Sequence, residues 1–156
     1  MDKTSNQTTT AKATVTLHLV VRGAREAAEW YKRTLGAKEV GCIPVPQGKF
    51  MQIELQLGNS TLMLADEFAE MGVLGPLAVG GTPVVFHYST NRAREHFELA
   101  VSSGAQVLQP LSEQFWGEFY GQIQDPFGHR WGIAEPVREV PAEEIARTAW
   151  KLFGGH

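Results

Sequence analysis

Cysteine is nearly absent from this sequence, since Cys42 is the only one in 156 residues. An intramolecular disulfide framework and a zinc site made of several cysteines are therefore excluded. An excess of charge of one sign is also missing, because the formal net charge is only −3. Such a balance offers no broad basic surface, so neither nucleic acid nor an anionic membrane is expected as a partner.

Long apolar runs are missing as well. No stretch approaches the roughly 18 apolar residues of a membrane-spanning helix. The first residues, MDKTSNQTTTAKA, lack the apolar segment of a secretory signal, so the cytoplasm is the expected location. The sequence also lacks HExxH and GxSxG motifs, and the glycine-rich segment 75–82 has no P-loop lysine. These absences exclude the usual signatures of hydrolases, kinases and nucleotide-binding proteins.

The pattern changes after residues 1–13, whose polar composition predicts a flexible tail. Residues 14–21 are β-branched and apolar and predict a strand, and residues 24–35 carry apolar side chains at helical spacing. Residues 49–57 alternate between apolar and polar, and a Gly-Asn-Ser turn separates them from the apolar residues 61–65. These two segments predict a hairpin.

The second half of the sequence repeats the first. Ala24-Arg25-Glu26 recurs as Ala93-Arg94-Glu95, and His18 recurs as His87, both at an offset of 69 (93 − 24 and 87 − 18). This constant offset predicts a duplicated strand–helix–strand–strand unit, with room for one further short strand. The glycine-rich residues 66–82 then form the linker between the two units.

Two more helices complete the predicted elements. The second unit contains a helix over residues 91–103, with Asn91 as its N-terminal cap. A last helix spans residues 141–153, where Pro141 suits the first turn and Gly154 suits the end.

Two segments carry a family resemblance. Residues 20–37, VVRGAREAAEWYKRTLGA, and residues 114–134, QFWGEFYGQIQDPFGHRWGIA, resemble the PhnB-like branch of the vicinal-oxygen-chelate superfamily of glyoxalases, bleomycin resistance proteins and dioxygenases. The resemblance implies an α+β fold in which two tandem βαβββ modules form curved sheets around a cup. It implies a single domain over residues 14–136, with modules at 14–66 and 83–136, and it implies a homodimer. Residues 137–156 are then a C-terminal helical extension.

The enzymes of this superfamily hold one divalent metal in the cup. The resemblance places its four ligands at Thr16, Met63, Val85 and Gly132, and none of these is a ligand that nickel, zinc, iron or manganese prefers. We therefore expect no metal and no cofactor at these positions, although a relocated divalent metal stays open.

The candidate ligand-binding residues follow from strand alternation and from the resemblance. His18 and His87 each lie two residues beyond an implied ligand position, so they share its face of the strand and are expected to oppose each other across the cup. The alternative for both is a cavity-lining histidine satisfied by water or neighbours. Arg130 is expected either to pair with an anionic group or to be solvated.

Polar and aromatic segments supply the remaining candidates. Gln52 and Glu54 form one polar strand face, and Glu54 would orient His18 or act as a base, unless this face is simply solvated. Trp116 and Tyr120 belong to an aromatic stretch that suits a flat organic ligand, or else ordinary core and dimer packing.

These residues favour a metal-independent small-molecule binding protein, for which resistance by sequestration of an aromatic or apolar ligand is one expected role. The alternative is an isomerase, lyase or dioxygenase that uses a relocated metal or His18 and His87 as acid and base. A third possibility is an assembly protein with a residual cup. The sequence specifies neither the ligand nor any catalytic residue.

Overall fold

The computed structural model describes Thr10 and residues 12–156. Most of the predicted tail, residues 1–9 and 11, lies outside the described residues. The first module contains β1 (Leu17–Val21), α1 (Ala24–Leu35), β2 (Lys38–Val45), β3 (Lys49–Leu57) and β4 (Ser60–Asp66). The short helix α2 (Pro76–Val79) lies in the predicted linker, after a 3-10 turn at Ala69–Met71.

The second module has the same order of elements. It contains β5 (Val85–Ser89), α3 (Ala93–Ser102), β6 (Gln106–Glu113), β7 (Glu118–Gln124) and β8 (Arg130–Pro136). The C-terminal helix α4 (Ala142–Leu152) follows. Among the described residues, no helix is both long and apolar enough to cross a bilayer.

Each module forms one four-stranded sheet. The strand orders are β1-β4-β3-β2 and β5-β8-β7-β6, and in both sheets the first pair is parallel while the others are antiparallel. His18 pairs with Met63 and His87 pairs with Gly132, so the register repeats at an offset of 69 (87 − 18 and 132 − 63). The α+β fold with two tandem βαβββ modules and a C-terminal helix is therefore confirmed.

Two details differ from the sequence-based expectation. The sequence leaves room for one further short strand in each module. In the structure this strand, β2 in the first module and β6 in the second, has a full eight residues. Asn91 does not cap α3, which begins at Ala93 with Arg92 in the capping position and no side-chain cap. Thr90 Oγ1 instead accepts a hydrogen bond from the backbone N–H of Arg92 at 3.1 Å, so a local turn replaces the expected cap.

The two helices α1 and α3 pack against each other and join the modules through one core. On β3, the buried side chains Ile53, Leu55 and Leu57 face α1 and enter this core, as the alternation predicts. Trp30 Nε1 of α1 donates a hydrogen bond to the carbonyl of Ser103, just after α3, at 2.8 Å. The opposite faces of the two sheets point away from this shared core.

The helix α4 stands apart from the core. None of its residues is buried, and Trp150 and Phe153 at its end are 66% and 90% exposed. Its apolar residues share one side of the helix, since Ile145, Ala149 and Leu152 recur at helical spacing.

Candidate functional site

Except for Trp116, which lies in the β6–β7 loop, the predicted ligand-binding residues lie on the sheet faces that point away from the helices. On the first sheet His18 pairs with Met63, which in turn pairs with Glu54. His18 and Glu54 are therefore two strands apart, about 10 Å between backbones. No hydrogen bond joins their side chains within the described part of the chain, and Gln52 lies two residues from Glu54 on the same face, opposite Ile43.

His18 borders an apolar cavity of about 460 Å³. The methionines Met51 and Met71 and the ring of Phe68 line it, and Lys49 lies 5.1 Å from the centre of that ring. Its volume is that of a small-molecule pocket, and the two flexible methionines allow its shape to adapt.

On the second sheet, His87 and Tyr120 form a stacked pair. Their ring centres are 5.6 Å apart with an angle of 16° between the planes, and Gln122 Nε2 donates a hydrogen bond to the Tyr120 hydroxyl at 2.8 Å. The tyrosine ring lies over Gly132, where an added Cβ would be 2.5 Å from its oxygen. Only a residue without a side chain leaves room for the ring in this position.

Glu118 extends this cluster and is not among the residues predicted from the sequence. Its Oε2 accepts a hydrogen bond from Trp116 Nε1 at 3.0 Å and lies 3.8 Å from His87 Nε2. The Trp116 ring also meets Tyr120 edge to face, with ring centres 5.7 Å apart. Strand alternation could have identified Glu118, because Glu118 and Gln122 lie on the same face of β7 as Tyr120.

Arg130 lies at the other end of this face. It pairs with Val85 and Gln124, whereas Glu118 pairs with Pro136, six residues further along β8. This corresponds to about 20 Å along the strand. The Nε of Arg130 is buried without a hydrogen-bond partner among the residues that the structure describes.

The structure does not bring His18 and His87 into one cavity within a single chain. His87 borders a different cavity of about 340 Å³ at the seam between the modules, with Leu17 and Leu62 on one side and Phe86 on the other. The seven candidates therefore divide into two groups. His18, Gln52 and Glu54 belong to the first sheet. His87, Tyr120 and Arg130 belong to the second sheet, and Trp116 lies in the loop between its strands β6 and β7.

The metal site that the fold implies does not fit these residues. Thr16 offers one hydroxyl, Met63 a thioether, and Val85 and Gly132 no donor side chain. The Tyr120 ring also takes up the space in which a ligating side chain at position 132 would stand. Within Thr10 and residues 12–156, no group of three or more His, Cys, Asp or Glu side chains could hold an ion.

Comparison with known proteins agrees with this architecture. Residues 12–133 match the family model of the Glyoxalase/Bleomycin resistance protein/Dioxygenase superfamily. The chain therefore belongs to this superfamily, the class of protein that its paired βαβββ modules define.

A curated relative covers most of the chain. It is the uncharacterized protein Mb0911c of Mycobacterium bovis, 39% identical over 131 residues, which are 82% of this chain and 86% of the relative.

Solved structures share the fold at low sequence identity. TioX from Micromonospora has a TM-score of 0.63 at 22% identity, covering 81% of this chain and all of TioX. The fosfomycin resistance protein FosX from Mesorhizobium loti has a TM-score of 0.59 at 10% identity, covering 88% of this chain and 99% of FosX. A PhnB protein from Bacillus cereus, described as a putative methyltransferase of 3-demethylubiquinone-9, has a TM-score of 0.58 at 16% identity, covering 81% of this chain and all of that protein.

Proposed function

We propose that this protein binds a flat, largely apolar small molecule without a metal, on the sheet faces that point away from the helices. The observation that carries the proposal is the His87–Tyr120 stack above Gly132. The stack offers a broad aromatic surface, and the hydrogen bond from Gln122 holds the Tyr120 hydroxyl in place. Sequestration requires affinity and shape rather than transition-state stabilisation. The lack of suitable metal ligands at the implied positions is therefore compatible with a binding function.

We further propose that a second copy completes the cup. The face carrying His18 and the face carrying His87 point away from one shared core. They can meet only if the first module of one chain faces the second module of another. Each cup of such a homodimer contains His18 from one copy and His87 from its partner.

A role in resistance by sequestration is the finer part of this proposal. It is supported by the fold shared with a fosfomycin resistance protein and by the apolar lining of the cavity beside His18. The cytoplasmic location and the exclusion of nucleic acid and membrane as partners remain predictions from composition and charge.

Calorimetric titration with acridine, at a mildly alkaline pH that keeps it neutral, tests the binding proposal. We expect binding that persists in EDTA and recovery of unchanged acridine by mass spectrometry. Tyr120→Ala should weaken binding by about tenfold through loss of the stacking surface, whereas Tyr120→Phe should retain most of it. Trp150→Ala, which removes an exposed aromatic ring of α4, is the matched control. Failure to bind acridine, or binding only after a metal is added, would overturn the proposal.

The alternative is an enzyme in which histidines act as acid and base. One observation favours it: Glu118 Oε2 lies 3.8 Å from His87 Nε2, and a carboxylate beside an imidazole can orient it for proton transfer. Chemical conversion of a bound compound, lost in both His18→Ala and His87→Ala while binding persists, would establish this alternative.

A further inference from the structure

A third cavity adjoins the His87–Tyr120 stack. It has a volume of about 550 Å³ and lies between the β6–β7 loop and the segment that leads from β8 to α4. Trp116 and Glu118 line one wall, and Glu139 and Val140 lie across from them. Because Trp116 and Glu118 also belong to the cluster on the sheet face, the cavity is continuous with the proposed binding surface.

The backbone fixes the shape of this cavity. The carbonyl of Gly117 accepts hydrogen bonds from the N–H groups of Val137 and Arg138, at 2.9 and 3.1 Å. Gly117 has a φ of +97°, and an added Cβ would lie 2.2 Å from the carbonyl oxygen of Arg138. Only glycine permits this close approach, so the two walls are held together before any ligand arrives.

The charges that face the cavity are mainly negative. Glu118 has one oxygen occupied by Trp116, and its Oε1 makes no hydrogen bond within the described residues. Glu139 forms no ion pair with another described residue. Arg138 is the one basic side chain that the described part of the chain places in the lining, and it is paired with Glu113 at 3.2 Å. Among the described residues, Glu118 and Glu139 therefore line the cavity without a basic partner, apart from the approach of His87 to Glu118.

We propose that this cavity binds an organic cation, an ammonium or an aromatic ring bearing a positive charge. The Trp116 ring offers the aromatic face that such cations prefer, and Glu118 supplies the opposite charge beside it. A bare metal ion is disfavoured, because no three ligating side chains converge among the residues described and because the cavity is large enough for an organic group. This inference rests on the proposed small-molecule function and names its ligand class.

Three probes with the same ring system test the charge preference. They are 10-methylacridinium, neutral acridine and acridine-9-carboxylate, titrated into the full chain by calorimetry at a mildly alkaline pH. We expect the cation to bind about tenfold more tightly than acridine and the anion to bind most weakly. The preference should shrink as sodium chloride is added, because salt screens partly exposed charges.

Three variants that each remove one negative charge identify which carboxylate produces the preference for the cation. Glu118→Gln retains an oxygen for Trp116 and should remove most of the tenfold preference for the cation over acridine. Glu139→Gln should reduce the preference by about threefold, as expected for a more exposed charge. Glu98→Gln, an exposed position on α3, makes the same change in net charge and should leave the preference intact.

The outcomes separate the two proposals. Equal affinity for the three probes, or a preference that survives both Glu118→Gln and Glu139→Gln, overturns the cation site while leaving the binding function standing. Failure of all three probes to bind overturns both.

Discussion

At the scale of single residues, Asp125 organises the contact between the two modules. Its Oδ1 accepts hydrogen bonds from the backbone N–H groups of Phe127 and His129, both at 2.9 Å. Its Oδ2 accepts from the Tyr31 hydroxyl at 2.5 Å and from Trp131 Nε1 at 2.9 Å. Burial raises the pKa of Asp125, and the hydrogen bonds from Tyr31 and Trp131 oppose that rise. Tyr31 stays a donor, because burial raises its own pKa well above the usual value.

Replacing Asp125 by asparagine should therefore destabilise the fold. The amide has only one acceptor oxygen, so the Trp131 N–H would face an N–H donor instead of an oxygen. We expect Asp125→Asn to lower the free energy of unfolding in urea by about 3 kcal/mol. Tyr31→Phe, which removes a single donor, should cost about 1 kcal/mol. Equal losses in the two variants would contradict this account of the aspartate.

Gly132 permits a second residue-scale prediction. A methyl group there would lie 2.5 Å from the Tyr120 oxygen and 2.7 Å from a carbon of its ring, so the ring must leave its stack on His87. Gly132→Ala should weaken acridine binding by about tenfold and lower the free energy of unfolding by about 1 kcal/mol. Gly41→Ala, a strand glycine with open space around its Cβ position, is the matched control. Unchanged binding in Gly132→Ala would show that the stack is not the ligand surface.

Residue chemistry was only partly predictable from the sequence. Strand alternation accounts for Trp131, which is 1% exposed, and for the shared strand face of its neighbours Arg130 and Gly132. The division of His18 and His87 between two cavities was not predictable. It depends on how α1 and α3 pack, and no local pattern encodes that packing.

At the scale of secondary-structure elements, the edge strands β2 and β6 were the hardest to predict from the sequence. Both β2 and β6 have exposed residues on both faces and interrupted register with the neighbouring strand. Their sequences include Pro44 and Pro110, which remove ladder donors, and neither sequence alternates. By contrast, β3 and α1 each bury one face, so their periods were visible and their predicted bounds match the structure.

An ion-pair network fastens α1 to β2. Glu39 accepts two hydrogen bonds from the Arg25 guanidinium, at 2.7 and 3.1 Å, and one from Lys32 at 3.2 Å. The hydrogen bond from Arg25 lowers the pKa of Glu39. Because the folded pKa is below the unfolded one, the stability from Glu39 is complete above the ordinary carboxyl range and is lost as the pH falls through the folded pKa.

We therefore expect a pH-dependent effect of Glu39→Gln. At neutral pH the variant should lose about 1 kcal/mol of unfolding free energy, since the pair is partly exposed. The difference from wild type should vanish at acidic pH, as measured by urea unfolding across a pH series. Glu95→Gln, which breaks the exposed pair with Arg92, should show no measurable change. A loss in Glu39→Gln that does not vary with pH would contradict the role of its charge.

At the scale of the whole molecule, the proposed homodimer makes a prediction about mixtures. His18→Ala and His87→Ala should each remove most acridine binding, because each damages both cups. When the two variants are mixed and allowed to exchange, one cup of every mixed dimer receives intact His18 and His87. With random exchange, half of the dimers are mixed and one quarter of all cups are restored.

Calorimetry on the exchanged mixture measures this restoration, and sedimentation velocity gives the oligomeric state. Each variant incubated alone is the control. A monomer at all concentrations, or a mixture that binds no better than its components, would exclude a cup shared between copies.

The duplication itself was visible as the offset of 69 (87 − 18), but the arrangement of the two modules depends on contacts between distant residues.

Those distant contacts also constrain the order in which the chain folds during synthesis. Thr34, Trp30 and Tyr31 on α1 find their hydrogen-bond partners 62, 73 and 94 residues further along. When the first module leaves the ribosome, this side of α1 lacks the elements that cover it. Stable packing must wait until Asp125 has emerged, with more than three quarters of the chain already made. The nascent first module is therefore the stage at which chaperone binding and misfolding are most expected.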